Sequence, residues 1–514
     1  MALRQSVNNL RAKKKRALLG GGTEKTIKQH DKGKLTARER LTRLLDEDSF
    51  IELGLLACSD VPGMEDQTPA DGWITGYGHL DGRQVCTVAN DFTVLGASNA
   101  RINTKKAAFM RSQSEEKGIP LIWLGEAGGG RLPDIEGARG ICSLAGQGGR
   151  SVFPQYTHNR RSPWITAAMG GCYGVPTWQA CLSDFVVQVK GSLLLVSGPR
   201  PIRRLLQTSS SPEEMGGWKV HAEVTGISDQ VAEDEENCFK LIKEFFDYMP
   251  SSCTELPPKT PDPHPTGKSM DPIFDFFPEN RVQVYDMIEM VKALADQDSY
   301  LELKPFFGRA VVTCLCRIGG RTAGIIANQP LHQAGAMGTD GLDKITSFMC
   351  LCDSFNIPLV FLHDIPGFIT DKNAEHSRVS AKVTNALHAL SQVTVPKISI
   401  ILRKSYGQAM YNMCGPGAGP DFIAAWPTAE VSFLDPDVAT DIVYGKYSEE
   451  ERKKFREKMV RDTGPYLLAQ GYYVFDIIEP SETRNYIIKM LEIIYNSENK
   501  GMSRHLLANW PTKF

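Results

Sequence analysis

Short apolar runs alternate with longer amphipathic stretches along this chain. Residues 83–89 and 321–327 are compact apolar runs that suit strands. Residues 120–124 and 358–362 are apolar throughout, as strands buried on both faces are. Between them, 104–117 and 341–356 have the apolar spacing and length of helices. Strand, helix and strand in succession require right-handed crossovers and predict an α/β fold with parallel strands. Toward the end, 449–459 and 483–495 are charged and amphipathic, which predicts helices packed outside the core.

The pattern occurs twice in a fixed register. Gly82-Arg83 through Val88-Ala89-Asn90 returns 238 residues later as Gly320-Arg321 through Ile326-Ala327-Asn328. At the same offset Lys106 falls on Lys344, Ile119-Pro120-Leu121 on Ile357-Pro358-Leu359, and Leu124-x-Glu126 on Leu362-x-Asp364. Farther on, Tyr173-Gly174 meets Tyr406-Gly407 at 233. The period is far too long for a solenoid, so it predicts two copies of one domain fold. Seven prolines (Pro250, Pro257, Pro258, Pro261, Pro263, Pro265 and Pro272) with no apolar periodicity predict an extended linker. The expected division is a first domain at 1–250, a Pro-rich linker at 251–272 and a second domain at 273–514.

Composition narrows the function classes. The 514 residues carry 58 Lys+Arg against 60 Asp+Glu, a formal charge of −2, without the basic surplus of a nucleic-acid binder. No apolar run approaches the roughly 18 residues of a membrane span. Twelve cysteines without a CxxC pair fit neither a disulfide scaffold nor a zinc ribbon, and predict reduced thiols and a cytoplasmic location. No histidine spacing suggests a metal site. The basic cluster Arg11, Lys13, Lys14, Lys15 and Arg16, followed by Gly20, Gly21 and Gly22, reads as a solvated helix ended by glycines. A transit peptide, or contact with a phosphate-bearing ligand, are its other readings.

The candidate chemistry lies in glycine-bearing loops after strand ends. In the first copy these are Gly128, Gly129 and Gly130, and the run Gly170-Gly171-Cys172-Tyr173-Gly174. Their counterparts are Pro366-Gly367-Phe368 and Tyr406-Gly407-Gln408-Ala409. Glycine lets a backbone approach a ligand closely, and a helix starting there aims free N–H groups into the gap. Such loops bind anions or hold an oxyanion; turns needed only for packing are the alternative. Glu126 and Asp364 end corresponding strands and could act as acid or base, or bond nearby backbone amides. His363 beside Asp364 points to the opposite face of its strand. Cys314/Cys316 share a face, and buried, inert thiols are expected of them.

Several stretches are those of a known family. Lys34-Leu-Thr-Ala-Arg-Glu-Arg40, Asn90-Asp-Phe-Thr-Val94, Gly128-Gly-Gly-Arg131, Gly216-Gly217 and Gly324-Ile-Ile-Ala-Asn-Gln-Pro330 resemble the carboxyltransferase (β) subunits of biotin-dependent acyl-CoA carboxylases. So do Asp364-Ile-Pro-Gly-Phe368, Arg403-Lys-x-Tyr-Gly407 and Trp426-Pro-Thr-Ala-Glu430. Propionyl-CoA carboxylases and methylmalonyl-CoA decarboxylases are the nearest kinds. The resemblance implies tandem crotonase-like domains of the ClpP/crotonase superfamily. It also implies a homo-hexamer built as a trimer of dimers, with sites between the first domain of one subunit and the second of another. The first domain is implied to bind the coenzyme A thioester and the second a biotin carried on a separate protein. Partner biotin carboxylase and biotin carboxyl carrier subunits follow, since no Met-Lys-Met biotinylation site occurs here. Chemistry in the family rests on paired backbone amides that hold the thioester enolate and the biotin ureido oxygen. By motif position the first pair falls at Gly174 and Val175 and the second at Gln408 and Ala409. Gly128, Gly129, Gly130, Tyr173, Gly367, Phe368, Tyr406, Gly407 and Tyr411 line the implied substrate and cofactor sites.

The chain departs from the family in three places: Val175-Pro176 replaces Gly-Ala, Tyr411 replaces a smaller or acidic residue, and the stretch from Ser377 to Thr384 replaces a Gly/Arg-His-Gly-Ala-Lys run. These bear on the acyl group and on activity, not on the fold. Four readings stay open: a propionyl-CoA-like carboxyltransferase, the decarboxylase α subunit of a sodium pump, a biotin-independent acyl-CoA enzyme using Glu126 or Asp364, and a non-catalytic subunit.

Overall fold

The repeat in the sequence is a repeat of strands. The computed structural model describes residues 2–144, 155–206, 210–261, 268–511 and 513, so Pro263 and Pro265 of the Pro-rich stretch lie outside the described residues. Two compact units result, Met1–Cys253 with Pro511–Lys513, and Thr254–Trp510.

The first unit is built on β1 (Ile51–Leu53), β2 (Trp73–Leu80), β3 (Arg83–Asn90), β4 (Leu121–Ala127), β5 (Trp164–Tyr173), β6 (Phe185–Val189), β7 (Leu193–Leu195) and β8 (Gln230–Ala232). They lie in the order β1-β2-β3-β4-β5-β6-β8, with β7 beside the end of β5. The second unit repeats this order with β9 (Tyr300–Glu302), β10 (Val311–Ile318), β11 (Arg321–Asn328), β12 (Leu359–Ile365), β13 (Lys397–Tyr406), β14 (Phe422–Ala425), β15 (Glu430–Ser432) and β16 (Asp476–Ile477). In each sheet the first three strands are antiparallel and the rest parallel. The β2–β3 hairpin turns on Asp81 (φ 50°) and Gly82 (φ 76°), the paired left-handed residues that match the twist of a two-residue turn.

The predicted crossovers are helices Arg101–Lys117 and Thr339–Ser354, each returning the chain to a buried parallel strand. Lys106 and Lys344 occupy the same register in them and are both buried. Lys106 Nζ donates to the carbonyls of Ala70 (2.7 Å) and Trp73, and Lys344 Nζ to that of Val311 (2.7 Å). Trp73 and Val311 each begin the second strand of their sheet, so the same bond pins helix to sheet in both units. Burial pushes both amines down to about 8.

Trp73, Trp123 and Trp164 fill one face of the first sheet. In the second unit Ile325, Val360, Ile398, Ile400 and Trp426 form the larger core. That core contains Ile487, Leu491 and Ile494, so helix Thr483–Tyr495 completes it rather than lying outside. The other tail helix, Glu449–Asp462, has no buried residue, as expected. Cys314 and Cys316 lie buried together in the same core. Helix Ala2–Leu18 carries the basic cluster, exposes all its described residues except Ala17, and gives way to Gly20 at φ +55°.

Ile400→Ala should cost about 2–5 kcal/mol through lost burial and the cavity left behind; chemical denaturation measures it.

Candidate active site

The exits of the central parallel strands carry the candidate site residues in each unit. β4 and β5 pair regularly from Leu121↔Trp164 to Gly125↔Ala168, then resume at Ala127↔Cys172. β12 and β13 break at the same place, between His363↔Ile401 and Ile365↔Ser405. In both units three residues of the longer strand face one of the shorter. That one is a carboxylate, Glu126 or Asp364. A β-bulge of this kind re-aims side chains and frees ladder amides. The freed amide is taken by a buried asparagine at the end of the preceding strand: Glu126 N–H donates to Asn90 Oδ1 (3.3 Å) and Asp364 N–H to Asn328 Oδ1 (3.1 Å).

Each carboxylate is also neutralised by cations. Glu126 Oε1 accepts from Lys34 Nζ (2.6 Å), and Oε2 from Arg40 Nη2 (2.7 Å) and Gln29 Nε2 (2.9 Å). Arg40, itself buried, also holds Glu235 with Nε (3.1 Å) and Nη2 (2.6 Å). A capping box, Thr36 with Glu39, starts helix Ala37–Leu44 and so sets the position of Arg40. Asp364 Oδ2 is gripped by Arg403 through Nε (3.0 Å) and Nη2 (2.8 Å). Burial alone would raise the Glu126 carboxyl, but Arg40 and Lys34 outweigh it and hold the group below the usual carboxylate range. A carboxylate with both oxygens engaged and a depressed pKa is a poor general base. Burial drives His363 down to about 3, so it is a neutral imidazole beside Ser405 (3.1 Å).

The sequence placed Gly170 and Gly171 in a loop after a strand; they lie within β5 itself, in the bulge. A Cβ at Gly170 would stand 2.3 Å from Glu126 Oε1, so glycine there makes room for the carboxylate. Its register counterpart in the second unit is Arg403, the residue that neutralises Asp364.

The expected site residues gather in two sets, one per unit. In the first, Gly129 (φ +100°) would bring a Cβ to 3.9 Å from Tyr173, which joins the two loops. Asn99 N–H donates to Gly129 O (2.7 Å) and Arg131 N–H to Asn99 O (2.8 Å), bracketing Gly130. Gly128 N–H is committed to Gly96 O (2.8 Å). Behind them Arg131 Nη1 pairs with buried Asp71 (2.6 Å). The second unit repeats the bracket around Phe368, where Met337 N–H donates to Gly367 O and Ile369 N–H to Met337 O, both 3.0 Å.

The second loops superpose by register, Gly174 on Gly407, Val175 on Gln408 and Pro176 on Ala409. Gly174 N–H donates to Leu195 O (3.2 Å) and Gly407 N–H to Ser432 O (2.9 Å), so both glycine amides are used within their own sheets. Helix Val175–Leu182 follows directly on Gly174, and helix Ala409–Asn412 on Gln408. Amides at helix starts have no intrahelical acceptor. Gln408 and Ala409 N–H have no partner among the described residues, and neither has Val175 N–H. Pro176 has no N–H to offer. At this register pair the first copy therefore presents one donor, Val175 N–H, where the second presents two. Tyr406 is buried, with its hydroxyl on Glu430 and Arg281; Tyr411 is half-exposed beside Gly417. The departing stretch from Ser377 to Thr384 enters helix Val379–Gln392, with Lys382 paired to Asp343 (2.8 Å).

Lys34, Arg40 and Arg403 were quoted above only as parts of motifs. The Thr36-x-x-Glu39 pattern was the legible local signal that a helix begins there; the long-range partners had none.

Duplicated α/β units of this topology, each presenting backbone amides at its strand exits, define a tandem crotonase-like enzyme. The chain belongs to the carboxyl transferase family, whose carboxyl transferase domain matches residues 28–506. The methylmalonyl-CoA decarboxylase subunit alpha of Veillonella parvula is 32% identical over 510 residues, 98% of either chain. The propionyl-CoA carboxylase beta chain of Roseobacter denitrificans is 33% identical, covering 96% of this chain and 97% of its own. Among solved structures, the transcarboxylase 12S hexamer with methylmalonyl-coenzyme A and methylmalonic acid bound superposes with a TM-score of 0.89 at 31% identity, over 95% of this chain and 96% of that one.

Arg40→Met should cost about 3–5 kcal/mol in denaturant unfolding at pH 7, by leaving Glu235 and half of Glu126 buried without a cation. Because the folded Glu126 value lies below the unfolded one, its stabilisation is full above about pH 4.3 and is lost as pH falls through the folded value. Glu126→Gln should therefore flatten the acid limb of a stability-against-pH curve.

Proposed function

We propose that this chain is the carboxyltransferase subunit that moves a carboxyl group between carrier-bound biotin and the α-carbon of a propionyl-CoA-like acyl-CoA. The unpartnered amides at the strand exits carry this reading, taken with the commitment of Glu126 and Asp364 to cations. Removing a proton or a carboxyl group from the α-carbon places negative charge on the thioester oxygen. Val175 N–H, at the start of its helix, donates to that oxygen as the charge grows. The Gln408 and Ala409 amides form a two-donor site suited to a ureido oxygen, whose charge also rises during transfer. When bound, carboxybiotin would supply the carboxyl group as carbon dioxide, and the ureido nitrogen so freed would take the α-proton. Backbone donors are fixed in place before reaction, so they need little reorganisation as charge develops, and each is worth about 2.7–4 kcal/mol.

A biotin-independent enzyme would need Glu126 or Asp364 as a free base, and both are engaged with cations. The named relatives include both carboxylases and decarboxylases, so the same chemistry run in either direction fits this site. We place the chain in a hexamer served by biotin carboxylase and biotin carrier subunits, on its likeness to the 12S hexamer. All twelve cysteines are free thiols, which fits the reducing cytoplasm. No helix among the described residues is long and apolar enough to cross a membrane.

The test is carboxyl exchange from methylmalonyl-CoA and other acyl-CoAs to free biotin. Exchange with at least one is expected; neither exchange nor binding of any would overturn the reading. Ala409→Pro copies the proline that the first unit already accommodates at this position. It should remove one donor and lower kcat for exchange about 100–1,000-fold. Pro176→Ala, which adds an amide to the first unit, should raise exchange; the same assay reads both.

A further inference from the structure

One surface segment, 280–283, ties together both strand exits of the second unit. Arg403, besides holding Asp364, donates through Nη1 to Gln283 O (2.9 Å) and Asn280 O (3.4 Å). Arg281 lies within that segment and faces three carboxylates. Its Nε donates to Glu430 Oε1 (3.0 Å), its Nη2 to Asp435 Oδ2 (2.7 Å) and its Nη1 to Asp437 Oδ2 (3.3 Å). Nη2 also reaches the Tyr406 hydroxyl (3.1 Å), which itself donates to Glu430.

These partners converge on the amide pair. Tyr406 is the last residue of β13, directly before Gly407 and Gln408. Glu430 begins β15, whose last residue, Ser432, accepts the Gly407 N–H. Asp435 caps helix Pro436–Tyr444 through Asp437 N–H (2.9 Å). Without Arg281, Glu430 and Asp435 would lose their ion pairs, leaving Lys404, which acts on Asp435 from β13, and Arg456, on Asp437, as the cations of the cluster. Like charges brought together repel, and the strand that anchors Gly407 carries one of them. Among its described residues the first unit has no such device. The counterpart of Glu430 is Leu193, and the Tyr173 hydroxyl has no partner among the described residues.

We propose that Arg281 is a positioning residue for the Gln408–Ala409 amides: through Tyr406 and Glu430 it fixes where the biotin-side donors point, without itself touching substrate. This rests on the carboxyl-transfer reading above.

The test compares full-length wild type, Arg281→Lys, Arg281→Met, Tyr406→Phe and the Arg281→Met/Tyr406→Phe double variant. Exchange from methylmalonyl-CoA to free biotin gives kcat and the KM for biotin; calorimetry gives the acyl-CoA Kd. Displacing reacting groups by about 1 Å can cost about 100-fold. Arg281→Met should therefore lose about 10–100-fold in kcat. Arg281→Lys, which keeps the charge and loses the fork, should lose less. Acyl-CoA Kd should stay within about twofold, because the loss belongs to the transition state rather than to ground-state binding. The double variant should be no worse than the worse single one, since both act through one linkage.

Retention of kcat by Arg281→Met and Tyr406→Phe would overturn the proposal. So would losses that multiply in the double variant, or a kcat loss accompanied by equal loss of acyl-CoA binding and melting temperature. Should Arg281→Met not fold, Tyr406→Phe and Arg281→Lys decide alone. No transfer by wild type from any acyl-CoA would overturn the underlying reading and this proposal with it.

Discussion

A buried negative charge at the exit of a central strand is the constraint around which both halves are arranged. Glu126 and Asp364 sit where the ladder breaks, and both are buried. An unpaired ion in such a place is not tolerated, so cations must be brought to it from elsewhere in the chain. In the first unit this fixes the path of 29–40, where Gln29, Lys34 and Arg40 converge on one carboxylate. In the second it fixes Arg403 and, through its carbonyl contacts, the segment 280–283. The glycine-bearing loops leave the sheet immediately beyond these anchors, so the charge pairs hold the ends of the strands from which the amides project.

How much of this the sequence disclosed depends on the range over which each feature acts. The strands and crossover helices were legible because their periodicity is local, and the duplication because its register is regular from Gly82 to Glu126. Helix Thr483–Tyr495 was read as peripheral because its charge and amphipathicity say nothing about how deep its apolar face lies; Ile487, Leu491 and Ile494 enter the core. Glu126 and Asp364 were recognised as paired positions. Their partners were not, because Lys34 and Arg40 are about ninety residues away and carry no mark of the carboxylate they serve. Gly170 was taken for a loop glycine, since nothing local distinguishes a glycine that relieves a steric clash from one that makes a turn.

The two amide sites are less alike than the duplicated fold suggests. A proline in the first helical turn costs a helix little, because an N–H there has no intrahelical acceptor in any case. The fold is therefore indifferent to Pro176, while the number of free amides offered there is not: an amide idle in structural terms is one left available to a ligand. Drift at this position can change the donor count without disturbing the sheet.

The exchange of Gly170 for Arg403 at one register position also constrains how the halves can change. Recombination between them would be harmful in either direction. A copy of β5 moved into the second half would strip Asp364 of its guanidinium. A copy of β13 moved into the first would drive an arginine into space filled by Glu126 and its own cations. Divergence of the two strands at this residue therefore opposes any exchange of sequence between the halves.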